Sequence, residues 1–298
     1  MANYSISDLQ QLSGIKAHTI RIWEQRYDAL KPGRSEGNTR FYDDTQLRRL
    51  LNIVSLVETG MKVNQVCSLP DKKIADLIDE KFLMQKESQT PHEYFISQLI
   101  AAGMEFDEIL FEKHFSACIL RYGLHETYTI ILQPMLVRVG LMWNKNSISP
   151  AQEHFISNLV RQKLYTAIDA LPTPKDTEDS WLLLLPPNEY HEIGLLYANY
   201  YIRSHGKKVI YLGAAVPLES MLKALQQMDV KNIYLFFIHV LPHEQIKKLL
   251  VEIKKVNSQA NLLISGNAKI IDQAELPEKT RILRTVEELE AFIKPVNV

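Results

Sequence analysis

Two cysteines in 298 residues are too few for a disulfide framework. Cys67 and Cys118 stand far apart, with apolar neighbours and no paired spacing, which suits reduced, buried thiols in a reducing compartment. No apolar run approaches the roughly 20 residues that span a bilayer. The N-terminus carries no charged segment followed by an apolar one. A soluble cytoplasmic protein with no membrane partner is expected. An excess of charge is missing too: 34 basic residues meet 35 acidic ones, for a formal net charge of -1. No global field then draws the chain to nucleic acid, and any basic surface must be local.

What is present is length and a change of pattern along it. A chain of 298 residues is too long for one small core and suggests two or three domains. The stretch Pro186-Pro187-Asn188-Glu189-Tyr190-His191-Glu192-Ile193-Gly194 follows the short apolar run 181–185, which reads as a buried parallel strand. It leads into helical spacing at Ile193, Leu196, Tyr197 and Tyr200. His191 therefore sits on a strand-to-helix loop, beyond the carboxyl end of a strand, where open α/β sheets bind ligands. Gly194, in the first helical turn, lets a bulky group lie close to the backbone. By position alone a histidine here is more often an ordinary loop histidine. As a metal ligand it would gain from Glu189, because a carboxylate on the second ring nitrogen fixes the tautomer and raises basicity.

Residues 4–15 form a short helix opened by a Ser cap and closed at Gly14, and 16–26 form a second, with Ile20 and Trp23 inward and Lys16, Thr19, Arg21 and Arg26 outward. Two short helices joined by a tight glycine turn are a helix-turn-helix. Residues 31–42 then place turn formers between two short extended pieces, as in a β-hairpin wing. From Lys16 to Arg40, six basic residues (Lys16, Arg21, Arg26, Lys31, Arg34, Arg40) meet three acidic ones (Glu24, Asp28, Glu36), a local excess of three. On its own a charged helix face is usually only solvated; here the stripe falls where a duplex would lie.

The order Ile-Arg-Ile-Trp-Glu-Gln-Arg-Tyr, then Asn-Thr-Arg-Phe-Tyr, then a helix over 44–59 ending at Gly60-Met61 resembles the MerR-type winged helix-turn-helix. The resemblance implies a transcription regulator that binds double-stranded operator DNA as a dimer, with the second helix in the major groove and the wing on the backbone. It puts Thr19, Arg21 and Arg26 on the recognition helix and Arg34, Asn38, Arg40 and Tyr42 on the wing. Such proteins commonly dimerise through a long helix just after this domain. Pro70-Asp71 interrupts that pattern and no sustained heptad follows, so self-association, as dimer or tetramer, must arise elsewhere.

The predicted organisation is a DNA-binding domain over 1–75, a linker helix over 76–90, a four-helix bundle over 91–177 and a flavodoxin-like doubly wound α/β domain over 178–298. The bundle reads as helices over 91–102, 105–121, 124–144 and 149–171, the last opened by Ser149-Pro150, with Pro134 implying a kink in the third. Trp143 ends the third helix, and Glu153-His154 open the fourth. The last domain alternates strands over 181–185, 208–212, 232–238, 261–264 and 281–283 with helices over 192–205, 218–228, 243–255, 268–274 and 286–293. Its strand ends carry His191, Gly213-Ala214-Ala215, His239 and Ser265-Gly266-Asn267; small residues there leave room for a large planar or nucleotide-like ligand.

A tryptophan, nine residues, then Glu-His in a helical segment ahead of an α/β domain resembles the cobalamin-binding module of light-sensing MerR-type repressors. Glu189-x-His191-x-x-Gly194, with Gly213 after the second strand and Ser265-Gly266 after the fourth, looks like the cobalamin-binding fold. The resemblance implies that His191 coordinates cobalt from below, Glu189 tunes it, and the small-residue loops hold the nucleotide tail. Trp143, Glu153 and His154 then cover the upper face of the cofactor, adenosylcobalamin. It implies no enzyme but a repressor whose oligomerisation, and so its DNA binding, follows the corrinoid and light. Three positions depart from the pattern: Phe236-Phe237-Ile238-His239 replaces Ser-x-Leu, Ser265-Gly266 replaces Gly-Gly, and Asn144 replaces the histidine of photoreceptors with two histidine ligands. Two other readings stay open: a corrinoid carrier of a methyl-transfer system, and a regulator that has lost the ligand and uses the fold for protein contacts.

Overall fold

The structure is a computed structural model and describes residues 4–34, 38–58, 60–84, 92–143, 148–174, 176–238, 243–266 and 276–293. The expectations for Glu36, residues 86–90, Asn144, His239, Asn267 and a helix over 268–274 lie outside them. Two compact units are present, Met1–Leu159 and Val160–Val298. No helix among the described residues is long and apolar enough to cross a membrane.

The first unit opens with α1 (Ile6–Ser13), and its start is fixed reciprocally. The Ser5 hydroxyl accepts from the Asp8 amide at 3.2 Å while the Asp8 carboxylate accepts from the Ser5 amide at 2.8 Å. Gly14, at φ 73°, supplies the left-handed cap that turns the chain into α2 (Ala17–Tyr27). Strands β1 (Gly33–Arg34) and β2 (Arg40–Phe41) pair antiparallel after it. Tyr4 and Tyr42 exchange backbone bonds of 2.7 and 2.9 Å and are both fully buried, so the start of the chain is tied to the ribbon's exit. Helix α3 (Asp44–Glu58) follows, and then α4 (Val63–Cys67), too short for its spacing to show in the sequence. Helix α5 (Asp71–Met84) comes next. Arg49 locks these pieces together: it donates to the carbonyls of Ala29 and Cys67, each at 2.8 Å, and pairs with Asp71.

Four longer helices complete the helical part: α6 (His92–Met104), α7 (Glu108–Glu126), α8 (Gln133–Trp143) and α9 (Pro150–Asp169). Gly123, at φ 71° and ψ 170°, breaks α7 one turn from its end. Pro134, where a kink was expected inside a helix, stands in the first turn of α8, directly after a π-helical stretch over Thr127–Leu132. The wider turn makes room for a ring that has no amide hydrogen to give. Every residue of α6 from Tyr94 to Met104 is buried. Helix α3 packs along it, with Gln98 donating to Ser55 at 2.8 Å and to Asn52 at 3.2 Å. Helix α1 meets α8, where the Arg138 guanidinium lies against Gly14 and pairs with Glu93.

The second unit is a five-stranded, wholly parallel sheet in the order β4-β3-β5-β6-β7, from β3 (Asp176–Leu184), β4 (Lys207–Gly213), β5 (Asn232–Phe237), β6 (Asn261–Gly266) and β7 (Thr280–Ile282). The central strands are apolar without alternation because both faces are covered. Helices α11 (Leu218–Gln227) and α12 (His243–Val256) pack on one face, around Leu182, Leu184, Ile233, Leu235, Phe237, Leu262 and Ile264. On the other, α10 (Ile193–Ser204) meets β3, β4 and β5, and α13 (Val286–Ile293) sets Phe292 edge-on to Trp181. The order reverses between β3 and β5, so the crevice for a ligand opens above their carboxyl ends.

Candidate functional site

The loop from β3 to α10 carries His191 into that crevice. Glu189 is 1% exposed, and its Oε1 lies 2.6 Å from His191 Nδ1 and accepts the His191 amide at 3.0 Å. Its Oε2 accepts the amide of Ile238, at the end of β5, at 2.8 Å. One buried carboxylate thus spans the point where the strand order reverses. A carboxylate only accepts, so Nδ1 is the donor of this pair, which makes Nε2 the nitrogen that would meet a metal. The imidazole is exposed, as are its chain neighbour Tyr190 (66%) and Ile238 (36%) at the end of β5. A single carboxylate-backed imidazole could supply one ligand to a metal.

Glu192, next to the histidine, was not singled out by sequence reasoning. It accepts from Tyr165 and Tyr211, each at 3.3 Å, and lies 3.5 Å from Arg161. Burial first, and then the Glu192 charge, pushes the Tyr211 phenol far above its ordinary value. The sequence shows Glu192 only as one more acid on a loop; its partners come from α9 and β4.

Ser265 and Gly266, expected to hold a nucleotide tail, are packed against the chain itself, and so is Gly194. A Cβ on Gly194 would lie 2.7 Å from Phe236 Cζ, so the bulky group that this glycine admits is the ring of Phe236. Ser265 is buried, donates to the Leu283 carbonyl at 2.7 Å and accepts the Tyr234 hydroxyl at 2.7 Å. Gly266, at φ 130°, has the Phe237 carbonyl oxygen 1.8 Å from where a Cβ would stand. The Gly213 carbonyl accepts the Leu185 amide at 2.9 Å. The imidazole thus fits a metal ligand, whereas among the described residues the Phe236 ring stands against Gly194, beside it.

In the first unit Lys16 caps α2, and Arg21 and Arg26 are exposed on it, with Thr19 partly so. On the ribbon Arg34 donates to Asn38 at 2.6 Å, and Arg40 pairs with Glu24 of α2 at 3.0 Å. Tyr42 corrects the expected list of DNA contacts: it is fully buried and donates its hydroxyl to Glu24 at 2.9 Å, so it has no surface to offer a duplex. Glu24 instead couples α2 to both ribbon residues. Trp143 is 41% exposed at the end of α8. Glu153 and His154, in the first turn of α9, lie 3.0 Å apart, with Glu153 also accepting from Ser157.

Comparison with known proteins decides what these parts belong to. A family profile for MerR HTH family regulatory proteins matches residues 4–69, and one for a B12 binding domain matches residues 95–167. The chain is a MerR-type transcriptional regulator with a B12 binding domain. The regulator is 28% identical to the HTH-type transcriptional repressor CarH of Myxococcus xanthus over 225 residues, 74% of each chain. It is 27% identical to the repressor CarA of the same organism over 264 residues, 88% of this chain and 85% of that one. Among solved structures, the monomethylamine corrinoid protein of Methanosarcina barkeri superposes with a TM-score of 0.54 at 13% identity, over 68% of this chain and 99% of that one, a likeness of fold.

Proposed function

We propose that this regulator is a repressor that binds operator DNA through α2 and the β1-β2 ribbon, and that a corrinoid held by His191 controls it. The observation that carries the proposal is the Glu189 carboxylate, buried across the β3-β5 crevice and bonded to His191 Nδ1 at 2.6 Å, an arrangement that serves a metal-bound imidazole. Arg21 and Arg26 face the groove, and Arg34, Asn38 and Arg40 the backbone. A corrinoid with an upper alkyl group, adenosyl on the sequence resemblance, supplies a cobalt-carbon bond that visible light breaks. Ligand and light then act by changing self-association between a dimer and larger assemblies, and through it the grip on DNA. Visible absorption during titration of the purified protein with a corrinoid tests this: an imidazole-ligated cobalt spectrum is expected for the native chain and not for His191→Ala. Identical spectra for both would overturn the role of His191.

A further inference from the structure

We infer that Phe236 sets which corrinoid the site accepts, favouring corrinoids that lack the lower nucleotide base over complete cobalamins. The inference rests on the corrinoid reading and concerns the same site. When a protein histidine takes the lower position on cobalt, the base of a complete cobalamin is displaced. Its nucleotide loop, attached on the same ring face, then hangs beside that histidine and needs a slot. On the β4 side of His191 the described backbone is tied down: the Leu185 amide donates to the Gly213 carbonyl at 2.9 Å, the Val216 amide to that of Leu185 at 3.1 Å and the Ala215 amide to that of Glu189 at 3.0 Å. The other flank lies between the first turn of α10 and the end of β5. Phe236 fills it, with its ring on Gly194 and edge-on to Tyr234 at 6.4 Å between centroids. Deeper on the same face the Tyr234 hydroxyl donates to Ser265 and the Ser265 hydroxyl to Leu283, so neither has a hydrogen left to give a base. A corrinoid without the nucleotide leaves this packing intact, whereas a complete cobalamin must drive the ring out.

The test titrates full-length protein with diaquocobinamide and with hydroxocobalamin, followed by visible absorption and calorimetry. The native chain is expected to bind cobinamide about tenfold or more tightly than cobalamin, the scale of one overpacked aromatic ring. Phe236→Ser should erase or reverse that preference by gaining cobalamin affinity. Phe236→Leu, which keeps an apolar group in the slot, should fall between and guards against a misfolded serine variant. Cobalamin bound as tightly as cobinamide by the native chain would overturn the inference and leave the corrinoid reading standing. Failure of both corrinoids to bind the native chain would overturn both.

Discussion

At the scale of single residues, the pair Glu189 and His191 carries the account, and it makes Glu189 the sharper test of the two. Glu189→Gln keeps the shape but replaces one acceptor oxygen by a donor, opposing either the Ile238 amide or the protonated Nδ1. Corrinoid affinity is expected to fall about 10–100-fold, and urea unfolding should show a loss of about 1–3 kcal/mol. An unchanged affinity would leave the carboxylate a purely structural role. The two thiols make a second test: Cys67 is 4% exposed and Cys118 fully buried, and burial pushes both up, so neither is a nucleophile in the folded chain. A thiol-disulfide reagent near neutral pH should label both only after denaturation. The spacing of Glu189 and His191 was legible because the two are neighbours in the chain. The Ile238 amide that completes them was not, since only the parallel sheet brings residues 49 positions apart together. Tyr42 misled for a related reason: beside Arg40 it looks like an interface aromatic, and only the pairing with Tyr4 and Glu24 shows it to be core.

At the scale of elements, the ribbon and the first turn of α10 are the parts to perturb. Arg40 reaches the surface from β2 with Glu24 holding it, so Arg40→Ala should weaken binding to all duplexes alike and reduce the salt slope by about one. Operator binding unchanged in both respects would remove the ribbon from the interface. Gly194→Ala puts a methyl into the Phe236 ring and should cost about 1–3 kcal/mol by chemical unfolding. In a double-mutant cycle, Phe236→Ala should recover much of that cost; additive losses would mean that the ring is not what the glycine accommodates. Most elements could be read from the sequence because capping and burial leave local marks, as at Ser5, Gly14 and the apolar cores of β5 and β6. Strand β3 begins at Asp176, earlier than its apolar run, because residues 176–180 are polar and join the sheet irregularly, with Asp176 opposite Lys207. The π-helical turn before Pro134 was legible only as a disturbance, since the sequence marks where an amide is missing but not how the backbone absorbs the loss.

At the scale of the whole molecule, the proposed function couples a DNA-binding part to a ligand-binding part through assembly. Size-exclusion chromatography with and without adenosylcobalamin, in the dark and after illumination, should give at least two distinct profiles. One profile under all four conditions would leave no assembly for ligand or light to control. The modular order was legible because each module has its own pattern: paired short helices with a basic ribbon, long helices, then alternating strands and helices. The packing of α3 on α6 was not, because Gln98, Ser55 and Asn52 look like ordinary polar residues until the helices meet. The most direct test of the central claim is fluorescence anisotropy of a labelled operator duplex with the full-length protein, with and without a saturating corrinoid. Native protein should change its operator affinity about tenfold or more on adding the corrinoid, and His191→Ala, folded alike, should show no change. An operator affinity indifferent to corrinoid in the native protein, or equally responsive in His191→Ala, would contradict the account.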